Sequence, residues 1–442
     1  MAQTNPAPQA PLPAKGRKLF LSRPVLSWGL NDLANTIFSS NIVTLFFPFY
    51  LTQVIGGDAR LDQVASTFIT YSNALSGLLI VLLSPLYGVW MDRTGRKKGA
   101  LVPFTLLAIA FTMLMALASS WGSGAAVLGM PVGIVSVLLC FVIAKFFFSS
   151  SVVFYDAMIS DLGGPKEIPL ISGFGVALGY FGTLIGLAVY PLASGQHYEQ
   201  TFMPSALLYL LFSLPIILFY KEASGGKQSA AVRTSFLSGY KEIITTFKEM
   251  KKYRPIFLFM VAFFFFNDAL QTAISVMAVY AKTVVGFTTD RFLILYLAAT
   301  VSSIFGSFIF GYITRRYGAK RAVTSVAVLL IAAIALGTLA VNETMFWAAG
   351  VIYGISMGSM WVTSRTLIVE LSPPDKRGQF FGLFAFSGKV SSIVGPLLYG
   401  TLTYTLQDYG TLASRIALGS LLIMVIIGLF VHARIPKENK AA

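Results

Sequence analysis

The segment GVWMDRTGRKK, residues 88–98, closes one long apolar run and opens another. It returns 223 residues later as GYITRRYGAKR, residues 311–321, again with an apolar run on either side. A short basic loop between two lipid-length stretches is what the cytoplasmic boundary of a membrane selects, because Lys and Arg are retained on that side. Its return at a matching place says that the chain is built twice.

Outward from these loops, apolar runs cover 26–53, 65–90, 99–120, 126–159, 170–193, 203–220, 255–281, 292–314, 322–341, 345–369, 379–404 and 412–432. Each is long enough to cross a hydrocarbon core of about 30 Å as a helix. Backbone polar groups in lipid must pair within their own segment, and no alternating strand pattern is present, so the twelve runs predict helices rather than a barrel. Composition agrees. Of 442 residues, 56% are apolar and only 12% charged, with a mean hydropathy of +0.74. So few charges could not cover a soluble protein of this size. A soluble enzyme, a nucleic-acid binder and a secreted disulfide scaffold are excluded together.

The charges fix an orientation. With both termini cytoplasmic, 26 of the 33 Lys and Arg fall on the cytoplasmic side, only Arg60, Lys282, Arg291 and Arg415 fall outside, and three lie within spans. This asymmetry accounts for the net charge of +15 without nucleic acid. The expected organisation is a disordered Pro/Ala/Gln-rich N-terminus (1–23), a six-helix bundle (24–220), a cytoplasmic central loop (221–254), a second six-helix bundle (255–432) and a cytoplasmic tail (433–442). No cleavable signal peptide is expected from residues 1–14. Part of the central loop, FLSGYKEIITTFKEMKKYR, is amphipathic and suits the inner membrane surface.

Other landmarks repeat as well. Asn31-Asp32 recurs as Asn267-Asp268, with Gln271 where Asn35 would fall; Asp161-Leu162 recurs as Glu370-Leu371. Six ionisable residues lie inside spans: Asp32, Lys145, Asp156, Asp268, Arg365 and Lys389. Each costs about 2.5–3.5 kcal/mol at mid-bilayer unless it is paired or faces water. The repeat offset of 209 places Asp156 opposite Arg365 and Tyr180 opposite Lys389. An acid and two bases in a low-dielectric cavity suit a solute that carries a carboxylate. Lys145 is read as a packing or snorkelling residue, and the glycines of GFGVALGYFGTLIG (173–186) as helix-packing residues.

No enzyme motif is present: no phosphate-binding G-x4-G-K-[ST] loop, no H-E-x-x-H and no G-x-S-x-G. Cys140 stands alone, and His197 and His432 are too few for a metal site. We expect no catalytic residue, no metal and no cofactor.

These residues resemble a known family. The inner-loop motif resembles the signature between helices two and three of major facilitator transporters, whose plan is two six-helix halves repeated in parallel. SWGLNDLANTIF (27–38), FFFFNDALQT (263–272), FYDAMISDL (154–162) with ISGFGVALGYFG (171–182), TSRTLIVELSP (363–373) and QFFGLFAFSGKVSSIVGP (379–396) resemble motifs of the "unknown major facilitator" family, relatives of the fungal vacuolar effluxer. The resemblance implies a secondary transporter working by alternating access and, for fungal members, efflux of amino acids. Asn31, Asp156 and Ala269 depart from the pattern, where Tyr, Asn and Gly are usual.

The implied gate comprises Gly88, Asp92, Arg93, Gly95 and Arg96, with Gly311, Arg315, Arg316 and Gly318 in the second copy and Glu370 replacing the acid lost at Arg315. Candidate solute-binding residues are Asn31, Asn35, Tyr155, Asn267, Gln271, Arg365 and Lys389. Candidate proton-coupling residues are Asp32, Asp156 and Asp268. The expectation is a monomeric, proton-coupled transporter of an amino-acid-like solute in the cell inner membrane, with the bilayer and a small solute as its partners. Two rivals are an exporter of drugs or lipophiles with the same fold, and a non-transporting scaffold or sensor.

Overall fold

The computed structural model describes residues 17–55, 59–120, 126–127, 130–222, 240–241, 244–245 and 252–436. Twelve helices among them are long and apolar enough to cross a membrane. In the N-terminal half they are α1 (Arg23–Ile55), α2 (Tyr71–Thr94), α3 (Lys98–Ala118), α4 (Val132–Asp161), α5 (Ile168–Ala193) and α6 (Tyr198–Phe219). In the C-terminal half they are α7 (Arg254–Met277), α8 (Arg291–Tyr317), α9 (Ala319–Leu339), α10 (Glu343–Leu371), α11 (Pro374–Thr405) and α12 (Thr411–Ala433). The N-terminal segment read as disordered and most of the amphipathic central loop lie outside the described residues.

Packing repeats with the sequence. Helix α1 packs on α5 and α6, and α7 packs on α11 and α12; α4 packs on α2 and α3, and α10 on α8 and α9. Each contact therefore has a counterpart six helices later. The halves meet along α2 with α11 and α5 with α8, with α4 touching α11 and α10 touching α5. Large apolar side chains such as Leu78, Leu211, Phe305 and Phe430 cover the outside, as a lipid-facing surface requires.

The two main seams close tightly at the end where α1 begins and α12 finishes, here called the basic end. A Cβ on Gly88 would meet the Gly378 carbonyl oxygen at 2.5 Å, so only glycine lets α2 and α11 cross there. On the other seam, a Cβ on Gly173 would lie 2.7 Å from the Ser307 carbonyl oxygen. Residues 378–384 of α11 are all buried, whereas Ile393, Val394 and Leu397, toward the opposite end, are exposed.

Three details depart from an all-regular helix reading. Residues Phe38–Phe46 of α1 are π-helical, as is Ala281–Val285 just past α7. Each loosens the hydrogen-bond ladder, the first within the opening helix of its half and the second just after it. A two-residue strand pair, Ala126–Val127 with Met130–Pro131, joins α3 to α4.

Candidate functional site

The most concentrated chemistry lies where α1, α4 and α10 converge. Trp28 and Asp32 sit one helical turn apart on α1, and Trp361 and Arg365 one turn apart on α10, so each pair shares a face. Trp28 donates its Nε1 hydrogen to the Tyr155 carbonyl oxygen at 3.1 Å and stacks on the Tyr155 ring, with centroids 4.7 Å apart. That sandwich fixes α1 against α4.

Arg365 reaches into it from the other half. Its Nη1 donates to Asp32 Oδ2 at 3.2 Å, and its Nη2 lies 2.9 Å from Asp156 Oδ1 as an ion pair. The guanidinium carbon sits 5.5 Å from the Tyr155 ring centroid and 5.8 Å from those of Trp28 and Trp361. Arg365 is 6% exposed, and its Nε has no hydrogen-bond partner. At a rise of about 1.5 Å per residue, this triad lies roughly 8–14 Å inside the basic end. One cation between two acids joins the halves there, and the charges sum to minus one.

Asp268 is placed differently. It is fully buried on α7, and its Oδ1 accepts from the Gly395 backbone N–H of α11 at 2.6 Å. Its Oδ2 has no partner. The adjacent Asn267 donates through Nδ2 to the Gly388 carbonyl oxygen at 2.9 Å and to Ser391 Oγ at 2.7 Å. Both residues therefore hold α7 to α11 inside one half.

The remaining candidates divide. Asn31 is buried with its Oδ1 unbonded; Asn35 accepts from Tyr209 Oη at 3.3 Å through Oδ1 while its Nδ2 is unbonded. Gln271 is half-buried. Lys389 is half-buried on α11, within electrostatic reach of Asp156.

At the basic end, Asp92 takes two backbone hydrogen bonds, from Gly378 N and Gln379 N, both at 2.7 Å. These are among the orphan N–H groups of the first turn of α11, where a carboxylate is favoured by charge as well as by bonding. Gly95 carries a φ of +66° where the chain leaves α2, a left-handed turn that glycine makes freely.

The sequence singled out Arg96 in the gate, but the structure leaves it exposed and gives the ion pair to Lys97. Lys97 Nζ meets Asp161 Oδ2 at 2.7 Å, Ser160 Oγ at 2.9 Å and the Ala157 carbonyl oxygen at 3.1 Å. Glu222 accepts from the backbone N–H groups of Lys97 and of Lys98, the latter at 2.6 Å, and so caps α3. Burial, then the charges of Asp161 and Glu222, push the phenol of Tyr220 well up. Lys97, Asp161 and Glu222 were not among the expected gate residues; only the basic run itself pointed to Lys97.

The second motif copy carries Arg315 where the first has the capping acid Asp92. Gly311 packs at the α5–α8 seam, with a Cβ there 3.0 Å from the Pro169 carbonyl oxygen. Gly318 turns the chain at a φ of +87°. Arg315 and Arg316 are exposed and make no ion pair among the described residues. Without an acid at position 315 nothing caps the facing helix, so the basic side chains extend outward. Arg93 and Glu370 are each engaged by neighbours at this end.

Residues 166–442 match the family described as "Vacuole effluxer Atg22 like". The chain belongs to that family. An MFS-type transporter named YxiO and described as uncharacterized, from Bacillus subtilis (strain 168), is 27% identical to this effluxer-like chain over 428 residues, 93% of this chain and 95% of its own. Autophagy-related protein 22-1 of Aspergillus niger is 24% identical over 298 residues, covering 62% of this chain and 48% of the fungal protein. The chain thus spans about half the length of that fungal relative.

Among solved structures, the human organic anion transporter MFSD10 superposes with a TM-score of 0.72 at 13% identity, over 96% of this chain and all of that one. The proton:xylose symporter XylE gives 0.69 at 13% identity, over 94% of this chain and 96% of that one. These likenesses establish the major facilitator fold. The effluxer-like chain is a multi-pass membrane transporter of that superfamily.

Proposed function

We propose that this chain is a secondary transporter that moves a small polar or zwitterionic, amino-acid-like solute by alternating access, coupled to protons. Its setting is a cell inner membrane, as a monomer, with the basic end in the cytoplasm. The observation that carries this reading is the grip of Arg365 on Asp32 and Asp156 across the junction of the two halves.

To open the basic end, α10 must withdraw Arg365 from α1 and α4. Two buried carboxylates would then lose their counter-charge, and breaking such a pair from one side costs about 3–5 kcal/mol. A proton on Asp156 removes one of those charges and lowers the barrier to opening. Proton entry and the inward-open state thereby become linked. Asp268 supplies a second protonation site, since no base pairs with it among the described residues and one of its oxygens is free. Asn31 and Asn35 offer an unbonded acceptor and donor on the same helix as Asp32, and Tyr155, Gln271 and Lys389 complete the solute-binding set. Asn267 serves the reading less well, because its amide is already spent on α11. Asp92, the α2–α11 glycines and Lys97 form the gate that parts when the basic end opens.

The test is flux through the purified full chain in liposomes under an inward proton gradient, with a labelled mixture of amino acids. Gradient-driven uptake that disappears in Arg365→Ala supports the reading. Uptake indifferent to the gradient, or competition only by hydrophobic cations, favours a lipophile exporter instead.

A further inference from the structure

The N-terminal half holds a cage built for a cation, and the cation in it comes from the other half. Trp28 and Asp32 stand on α1, and Tyr155 and Asp156 on α4. The Trp28 and Tyr155 rings stack with centroids 4.7 Å apart, and the Trp28 Nε1 bond to the Tyr155 carbonyl oxygen pins one helix to the other. These four side chains are therefore positioned without help from α10. Arg365 enters from α10, bringing Trp361 with it, and its guanidinium carbon lies 5.5 Å from the Tyr155 centroid and 5.8 Å from that of Trp28. Both distances fall within the roughly 6 Å over which aromatic rings attract a cation.

Arg365 fits this cage imperfectly. Its bond to Asp32 Oδ2 is 3.2 Å, at the long end for N–H···O. Its Nη2 lies 2.9 Å from Asp156 Oδ1, yet without hydrogen-bond geometry, so that oxygen stays unbonded. The Arg365 Nε and the Tyr155 Oη are unbonded as well. A guanidinium is a rigid planar fork, whereas a primary ammonium is compact and carries three donors that rotate to suit their acceptors. Charge points the same way. Arg365 leaves the two acids one negative charge in excess, but one ammonium on Asp32 and one proton on Asp156 neutralise both.

We propose that Asp32, with the Trp28 and Tyr155 rings beside it, is the binding site for the ammonium group of the transported solute, and that Arg365 occupies this site as a tethered competitor until the solute displaces it. The proposal rests on the transport reading above, and names which end of the solute is recognised first. An ammonium that takes the place of the guanidinium restores the counter-charge that Asp32 loses when α10 withdraws. Binding and parting of the halves at the basic end are then one equilibrium. The displaced Arg365 becomes available to the solute carboxylate, while Asp156 keeps its role as the proton carrier.

Binding to the purified full-length chain in detergent, read by the shift in thermal unfolding, tests this without requiring flux. The probes are alaninamide hydrochloride, which offers the amine alone, sodium lactate, which offers the carboxylate alone, and alanine, with sodium chloride at equal ionic strength as the blank. Alaninamide and alanine should stabilise the wild-type chain. Lactate should not, because it brings no cation to Asp32. Asp32→Asn should weaken the alaninamide response about tenfold or more, the loss of one charge-assisted bond. That variant still leaves Arg365 paired with Asp156, so it should fold. Asp156→Asn should keep most of the response, since Asn mimics the protonated acid. Arg365→Ala should respond at about tenfold less alaninamide than the wild type, because the competitor is gone.

The proposal is overturned if lactate stabilises the wild type as well as alaninamide does, if alaninamide does not exceed the chloride blank, or if Asp32→Asn responds as the wild type does. None of these outcomes depends on the stability of Arg365→Ala. Equal responses from Arg365→Ala and the wild type would refute the competition. Alaninamide binding that requires Asp32, in a chain that shows no gradient-driven flux, would instead defeat the transport reading and leave the ammonium site in place.

Discussion

Asp32 and Asp268 occupy matching places in the two halves, each preceded by Asn, each in the first helix of its bundle. Their surroundings are opposite. Asp32 faces across the molecule to a cation on α10 and shares it with Asp156. Asp268 faces a neighbour within its own half and, among the described residues, bonds only a backbone N–H. The repeated sequence therefore builds the same scaffold twice but places the bridging charge once. In the proposed transport cycle, this asymmetry decides which acid exchanges partners: Asp32 does, and Asp268 need not.

Substitutions can break this contrast in graded steps. Arg365→Ala should have the largest effect, about 3–5 kcal/mol of stability, because it strands two buried carboxylates. Thermal unfolding checks this, and adding Asp32→Asn and Asp156→Asn to Arg365→Ala should restore part of the loss. Asp92→Ala comes next. It uncovers two N–H groups at the start of α11 and should cost about 1–3 kcal/mol, with a rise in solute leak through liposomes that lack any gradient.

Asp268→Asn should be milder, below about 1 kcal/mol, since an amide oxygen can still accept from Gly395 N–H. A much larger loss would mean that the carboxylate has a charge partner after all. Arg315→Ala should be smallest, within about 0.5 kcal/mol, as for other exposed charges. A strong effect on flux would show that the second motif copy gates in its own right.

Much of the architecture was legible in the sequence because it follows from bulk properties. Hydrocarbon thickness sets the run lengths, and the first helix, expected at 26–53, is Arg23–Ile55. The pairing of Asp156 with Arg365 was also legible, through the offset between repeats. Asp32 was not, because its repeat partner Asp268 says nothing about α10. The shared arginine emerges only when three helices are packed together.

Lys97 and Glu222 were hidden for a related reason. They are 125 residues apart, and no periodicity links a loop after α2 to the residues that follow α6. Lys145 was read as a packing residue, and its Nζ donates to Asn73 Oδ1 on the neighbouring α2. Composition reports how many charges are buried but not which of them remain unpaired.

The most direct measurement is proton-gradient-driven uptake by Asp156→Asn beside the wild type, with solute exchange across the same liposomes in the absence of a gradient. Asn cannot carry the proton, yet it keeps the size and an acceptor oxygen for Arg365. The expected result is exchange near the wild-type rate with no accumulation driven by the gradient. Accumulation that still follows the pH gradient would contradict the assignment of coupling to the carboxylates held by Arg365.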